Sequence, residues 1–201
     1  DPVWGAAPGS HASQGGVSRR PRHPRRRALG EPAVEADPVA RLEEEELADL
    51  LYERYDCVAV FLEAELQSKY YHGFCRLYLA PIMHNQMHVV EDVDPFNPDE
   101  WRAYCTVNRL FATKVMEVYE AGYLTWVHDY HLMLLPSMLR ERRAQLKVGW
   151  FLHTPFSTSE MYRTLPHREE ILRGVLGADL IGFHIYDYAR HFHTSCSRVL
   201  G

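Results

Sequence analysis

The chain has 201 residues, 46% of them hydrophobic and 24% charged, with a formal net charge of −5. That length holds one domain, or one domain with a tail, and the composition excludes wholesale disorder and collagen-like repeats. With 22 Lys and Arg against 27 Asp and Glu, a dedicated nucleic-acid binder is also disfavoured, because its footprint would be basic.

No stretch approaches roughly 18 uninterrupted apolar residues, so no membrane span is expected. Cys57, Cys75, Cys105 and Cys196 form no CxxC pair, which argues against a zinc knuckle or a disulfide scaffold. Reduced thiols in a cytoplasmic protein are the simplest reading.

Charge divides the chain. Residues 1–30 carry six arginines and one acid, and residues 31–50 carry eight acids and one arginine. The first stretch, with Gly15-Gly16 and the basic run from Arg19 to Arg27, has no apolar period. It cannot bury enough surface to offset its ordering entropy, so residues 1–38 are expected to be a disordered, solvated tail. An Arg-rich organellar leader would carry more serine. The start at Asp1 rather than Met points to something lost or processed upstream. Residues 39–201 are expected to form a single, partial α/β domain.

Leu42, Leu47, Leu50, Leu51 and Tyr55 share one face of a predicted helix whose other face holds Glu43 to Glu46. Residues 57–62, a short continuous apolar run, read as a strand buried on both faces. A second helix is expected from Glu63 to Tyr71, then mixed structure over 72–96 and a loop over 94–98. Asn97, Pro98 and Glu100 form a helix start. Trp101, Tyr104, Asn108, Phe111, Val115 and Val118 then recur at helical steps to about Glu120, with Gly122 as the stop.

From there a unit repeats. Residues 123–127, 147–152 and 178–183 read as strands. Residues 132–143, 159–176 (one or two helices) and 186–200 read as helices. Alternating buried strands and amphipathic helices imply βαβ crossovers and a parallel sheet.

In such sheets ligands bind outside the carboxyl ends of the strands. Here those ends carry His128-Asp129-Tyr130-His131, His153-Thr154-Pro155 and His184, which would bring imidazoles and one carboxylate to a single crevice. His128, Asp129 and His131 do not read as a metal site, because neighbours on a strand point to opposite faces unless the chain turns. Ser157 and Glu160 match a capping box, so a helix start is expected just beyond His153, where free N–H groups would suit an anionic or polyhydroxylated ligand. No GxGxxG, Walker loop or GxSxG elbow occurs.

Four stretches, in order, carry a family likeness: Tyr70-Tyr71-His72-Gly73-Phe74, residues 126–132, residues 149–156, and residues 181–184 with Tyr186-Asp187-Tyr188-Ala189-Arg190. Together, over residues 47–201, they resemble the N-terminal domain of trehalose-6-phosphate synthase. The resemblance implies a retaining glycosyltransferase of the GT-B kind, with a doubly wound, Rossmann-like parallel sheet. It implies glucose transfer from UDP-glucose to glucose-6-phosphate, with no metal or other cofactor in catalysis.

By the same resemblance, Asp129 contacts the sugars and His153 supports the transition state as UDP leaves. Tyr71 meets the acceptor phosphate. Departures from the family pattern stand beside these. Residues 1–46 show no strand with a glycine-bearing loop, Ala80-Pro81 replaces the tryptophan-proline nine residues after Tyr71, and the nucleotide-binding second domain is not present. The chain by itself is therefore expected to be inactive. The alternative is a non-catalytic sugar-phosphate sensor that pairs with complete homologues, and the remaining one an unrelated doubly wound domain.

Overall fold

The computed structural model describes residues 38–86 and 96–201, with side chains from residue 42 onward. The expected tail, apart from Pro38, lies outside the described residues, as do Asp94 and Pro95 of the expected loop.

α1 (Pro38–Tyr55) ends where Asp56 turns left-handed, at φ 52°. Asp56 N–H and Cys57 N–H donate back to the carbonyls of Tyr52 and Leu51 at 3.1 and 3.2 Å, which satisfies carbonyls the helix end would orphan. The predicted helix forms, but its apolar face stays open: Leu42 is 61% and Tyr55 65% exposed. Helix formation needs only local bonds, whereas burial needs a second surface.

Residues 57–62, expected as a strand, are extended chain outside any ladder. An apolar run becomes a strand only where another strand pairs with its N–H and C=O groups. No described segment does so here.

Helical structure then runs through α2 (Ala64–Gln67), a π-helix (Ser68–Leu79) and α3 (Ala80–Met83). This is longer than the predicted Glu63-to-Tyr71 helix. Wide π winding is rare and has no sequence signature, while Pro81 reads as a breaker but is tolerated in the first turn of α3. The π-helix buries Tyr70, Phe74, Cys75, Tyr78 and Leu79.

α4 (Pro98–Val118) begins as predicted, with Asn97 Oδ1 accepting from Asp99 N–H at 2.9 Å. Its buried Ala103, Tyr104, Val107, Asn108 and Ala112 form one face. Against that face the Phe74 ring lies 4.9 Å from Tyr104 and 5.1 Å from Trp101. The helix stops at Val118, and Gly122 (φ 98°) shapes the turn beyond it instead of capping it.

β1 (Leu124–His128), β2 (Lys147–Leu152) and β3 (Leu180–Phe183) form a parallel sheet in that spatial order. β1 returns to β2 through a 3₁₀ turn (Tyr130–Leu132) and α5 (Leu135–Arg142). β2 returns to β3 through α6 (Ser159–Tyr162) and α7 (Arg168–Val175), and α8 (Tyr186–Leu200) follows. Val127, Val148, Trp150 and Leu152 point into the core from one sheet face. On the other, Trp126 lies across Gly149 and Phe151 across Gly182, where a Cβ would fall 2.3 and 2.6 Å from the rings.

The capping box expected of Ser157 and Glu160 does not form. Thr158 is the N-cap of α6, without a side-chain bond, and Glu160 pairs with Arg198 of α8. Phe156 explains the shift. It sinks between Tyr162 and Phe192, with ring centroids at 5.1 and 5.3 Å, and draws Ser157 into full burial.

α7 crosses the start of α5 closely at Gly174. A Cβ there would meet the Met133 carbonyl oxygen at 2.5 Å and Leu134 Cα at 2.9 Å. In an ordinary helix, glycine to alanine gains about 1 kcal/mol. Here the contact is with backbone, which cannot rotate away, so Gly174→Ala should destabilise the chain by roughly 1–3 kcal/mol. A lowered urea midpoint is the measurement.

Candidate active site

The chain turns at Asp129, directly after β1. Its N–H still donates to the Phe151 carbonyl at 2.8 Å, continuing the ladder. Its φ of 65° and ψ of 179°, however, fall in a region populated almost only by glycine. Strict alternation would send His128 and Asp129 to opposite faces, and the turn removes that restriction.

Several bonds hold the turn. Asp129 Oδ1 accepts from Tyr130 N–H at 2.9 Å, and the Trp150 indole N–H donates to the Asp129 carbonyl at 3.1 Å. Tyr104 Oη donates to the Tyr130 carbonyl at 2.7 Å and accepts from Met133 N–H at 3.1 Å. Tyr70 Oη and Asn108 Nδ2 donate to the His131 carbonyl at 3.0 and 3.3 Å. Burial pushes the Tyr70 and Tyr104 phenols well above their ordinary range, so both keep the protons they donate.

Three of the predicted histidines converge. His128 Nδ1 and His153 Nε2 share a hydrogen bond of 2.9 Å, and the His153 and His184 rings are 5.7 Å apart. Phe151 contacts both, at 4.9 and 5.1 Å. His131 goes elsewhere. It stacks on Tyr130 at 4.3 Å and on Tyr71, from the π-helix, at 5.6 Å. Tyr71 thus touches the segment just beyond Asp129 through His131, and His153 touches the residue just before it through His128.

Asp129 and His153 lie at adjacent strand ends on one edge of the sheet. His153 is exposed, whereas Asp129 is only 7% exposed. Ala80, half-buried, opens α3 nine residues beyond Tyr71.

Among the described residues no group of three or more His, Cys, Asp or Glu could hold a metal ion. The segments that follow the strands, 129–134, 153–158 and 184–185, contain no lysine or arginine. α6 has four residues, too few for a strong positive end near His153. In the segments that follow the strands Asp129 is the only Asp, Glu, Lys or Arg, a composition suited to hydroxyl groups more than to a diphosphate.

Sequence reasoning missed the donors that fix the turn: Trp150, Tyr104, Tyr70 and Asn108. One signal was present, since Tyr104 and Asn108 stand one helical turn apart on a face that is otherwise apolar.

Burial lowers the pKa of His128, with the nearby His153 adding to the effect and Asp129 opposing it. Burial also lowers that of His131, again against Asp129. Folding thus favours neutral rings, and the unfolded imidazoles titrate near about 6.5. Their contribution is complete above that pH and is lost as pH falls toward the folded values. The thermal midpoint should therefore drop between about pH 7 and pH 5, and His131→Phe, which keeps the stack on Tyr71 and Tyr130, should flatten that slope.

Comparison with known proteins gives the family of the chain. Residues 19–201 match glycosyltransferase family 20. The chain is 51% identical over 162 residues to a probable UDP-forming alpha,alpha-trehalose-phosphate synthase, number 11, of Arabidopsis thaliana, covering 79% of this chain and 19% of that protein.

Two of the solved structures that resemble it show the extent of the likeness. The N-terminal domain of Candida albicans trehalose-6-phosphate phosphatase superposes with a TM-score of 0.69 at 33% identity, covering 82% of this chain and 34% of that one. The UDP-forming synthase of Burkholderia xenovorans in complex with glucose-6-phosphate gives 0.64 at 26% identity, covering 69% and 30%. The chain spans about a fifth of the length of the curated relatives it matches. With its parallel α/β sheet and these relatives, the chain belongs to glycosyltransferase family 20.

Proposed function

We propose that the chain forms the N-terminal wall of a UDP-forming trehalose-phosphate synthase site, where glucose passes from UDP-glucose to glucose-6-phosphate to give trehalose 6-phosphate and UDP. What supports this reading is that Tyr71 stacks on His131 and His153 bonds His128, the residues that flank the Asp129 turn in the chain. In it, Tyr71 donates its hydroxyl to the acceptor phosphate, Asp129 accepts from sugar hydroxyls, and His153 bonds the donor glucose as the bond to UDP lengthens.

Such groups act by position and by fixed dipoles. The diphosphate, by contrast, needs cations that the segments following the three strands do not contain. They would come from a second, nucleotide-binding domain. No metal or organic cofactor enters this scheme. Thiols without a disulfide fit a reducing compartment such as the cytoplasm, and among the described residues no helix is long and apolar enough to cross a membrane.

A second reading, a sugar-phosphate-binding homologue that does not turn over and pairs with complete synthases, has two supports. Ala80 stands where the resemblance places an aromatic wall, and one solved relative is named as the N-terminal domain of a phosphatase.

An NMR titration of the chain with glucose-6-phosphate, run beside an assay for UDP release, tests the proposal. Resonances of Tyr71, Asp129 and His153 should move together, and Asp129→Asn should weaken binding by about tenfold or more, as loss of a charge-assisted bond does. UDP release should stay at background for the chain alone. Perturbations confined to another surface would sink the assignment. Binding without turnover in a full-length form would select the second reading.

A further inference from the structure

Trp150 is wholly buried in β2, and most of its ring serves the core. Its indole N–H does something else, donating to the Asp129 carbonyl across the neighbouring strand end. A residue at φ 65° and ψ 179° persists in that conformation only where its surroundings over-determine it. β2 supplies both clamps on Asp129, the Phe151 carbonyl on its N–H and the Trp150 indole on its C=O. A phenylalanine would fill much of the same space, but it has no donor for that carbonyl.

We infer that Trp150 is a positioning residue, whose indole N–H holds the strained Asp129 backbone so that the carboxylate caps the Tyr130–Leu132 turn at the carboxyl edge of the sheet. This deepens the reading above, because it concerns how the carboxylate assigned there to the sugar is held in place.

A double-mutant cycle of thermal unfolding on the 201-residue chain tests it, with Trp150→Phe, Asp129→Gly and the two combined. In the native chain, loss of the bond lets the turn relax and recover strain, whereas glycine adopts this backbone without strain and recovers none. Trp150→Phe should lower the midpoint by about 2–4 °C in the Asp129→Gly background, and by less than that in the otherwise native chain. Asp129→Gly alone should leave the midpoint unchanged or raise it.

The carboxyl ¹³C resonance of Asp129 should shift or broaden in Trp150→Phe, and affinity for glucose-6-phosphate should fall about fivefold. Equal losses in both backgrounds, with the carboxyl resonance unmoved, would make Trp150 a packing residue and overturn the inference. So would a drop of several degrees in Asp129→Gly, because the turn would then store no strain. If the native chain binds no glucose-6-phosphate, the functional reading fails, while the cycle and the resonance still decide the role of Trp150.

Discussion

The main chain from Asp129 to Met133 is held by groups from three other elements, and the candidate site depends on that restraint. The π-helix supplies the Tyr70 hydroxyl, α4 supplies Tyr104 and Asn108, and β2 supplies the Phe151 carbonyl and the Trp150 indole. A backbone in this region costs about 1–3 kcal/mol, and one intramolecular hydrogen bond returns a net of about 1 kcal/mol. One bond would not hold the turn, but several together do. Buried tyrosine and tryptophan need partners for their polar atoms, and here this turn provides them. Core and site therefore share side chains, and a change to the aromatic packing of the π-helix against α4 also reaches Asp129.

The same edge limits the chemistry. Three strand ends bring His128, His153 and His184 into a row, and the first two share a hydrogen bond in which one nitrogen must donate and the other accept. Two protonated rings could not make that bond, because neither would have an acceptor. In the segments that follow the strands, Asp129 is the only acidic residue. Such an edge recognises hydroxyl groups by donors and acceptors. In the proposed reaction, neutralising a departing diphosphate would fall to a different set of residues.

Much of this was legible in sequence, for reasons that can be named. Asn97 and Pro98 act locally, so the start of α4 could be read from neighbours alone. The alternation of apolar runs with helical periods determines the crossovers, and with them which ends of β1, β2 and β3 lie together. What escaped depends on contacts distant in the chain. Residues 57–62 have the composition of a strand, but a strand is a relation between two segments. Ser157 and Glu160 have the spacing of a capping box, but the helix starts at Ser159 as expected with Thr158 at the cap, and Ser157 is buried beside Phe156. The π winding has no residue signature, and the positive φ of Asp129 rests on partners drawn from residues 150 and 151.

The identity of residue 129 itself carries an argument. The fold uses glycine where geometry demands it: Gly149 and Gly182 lie under aromatic rings, and Gly174 lies against backbone. At 129 the backbone conformation also calls for glycine, and the chain has aspartate. The carboxylate caps a turn of three residues, a contribution of about 1 kcal/mol, while the strain is of equal or greater size. Stability alone therefore gives no reason to prefer aspartate there. A group kept against its own backbone preference, clamped from a neighbouring strand and set at the edge where parallel sheets bind ligands, fits the ligand role proposed for its carboxylate.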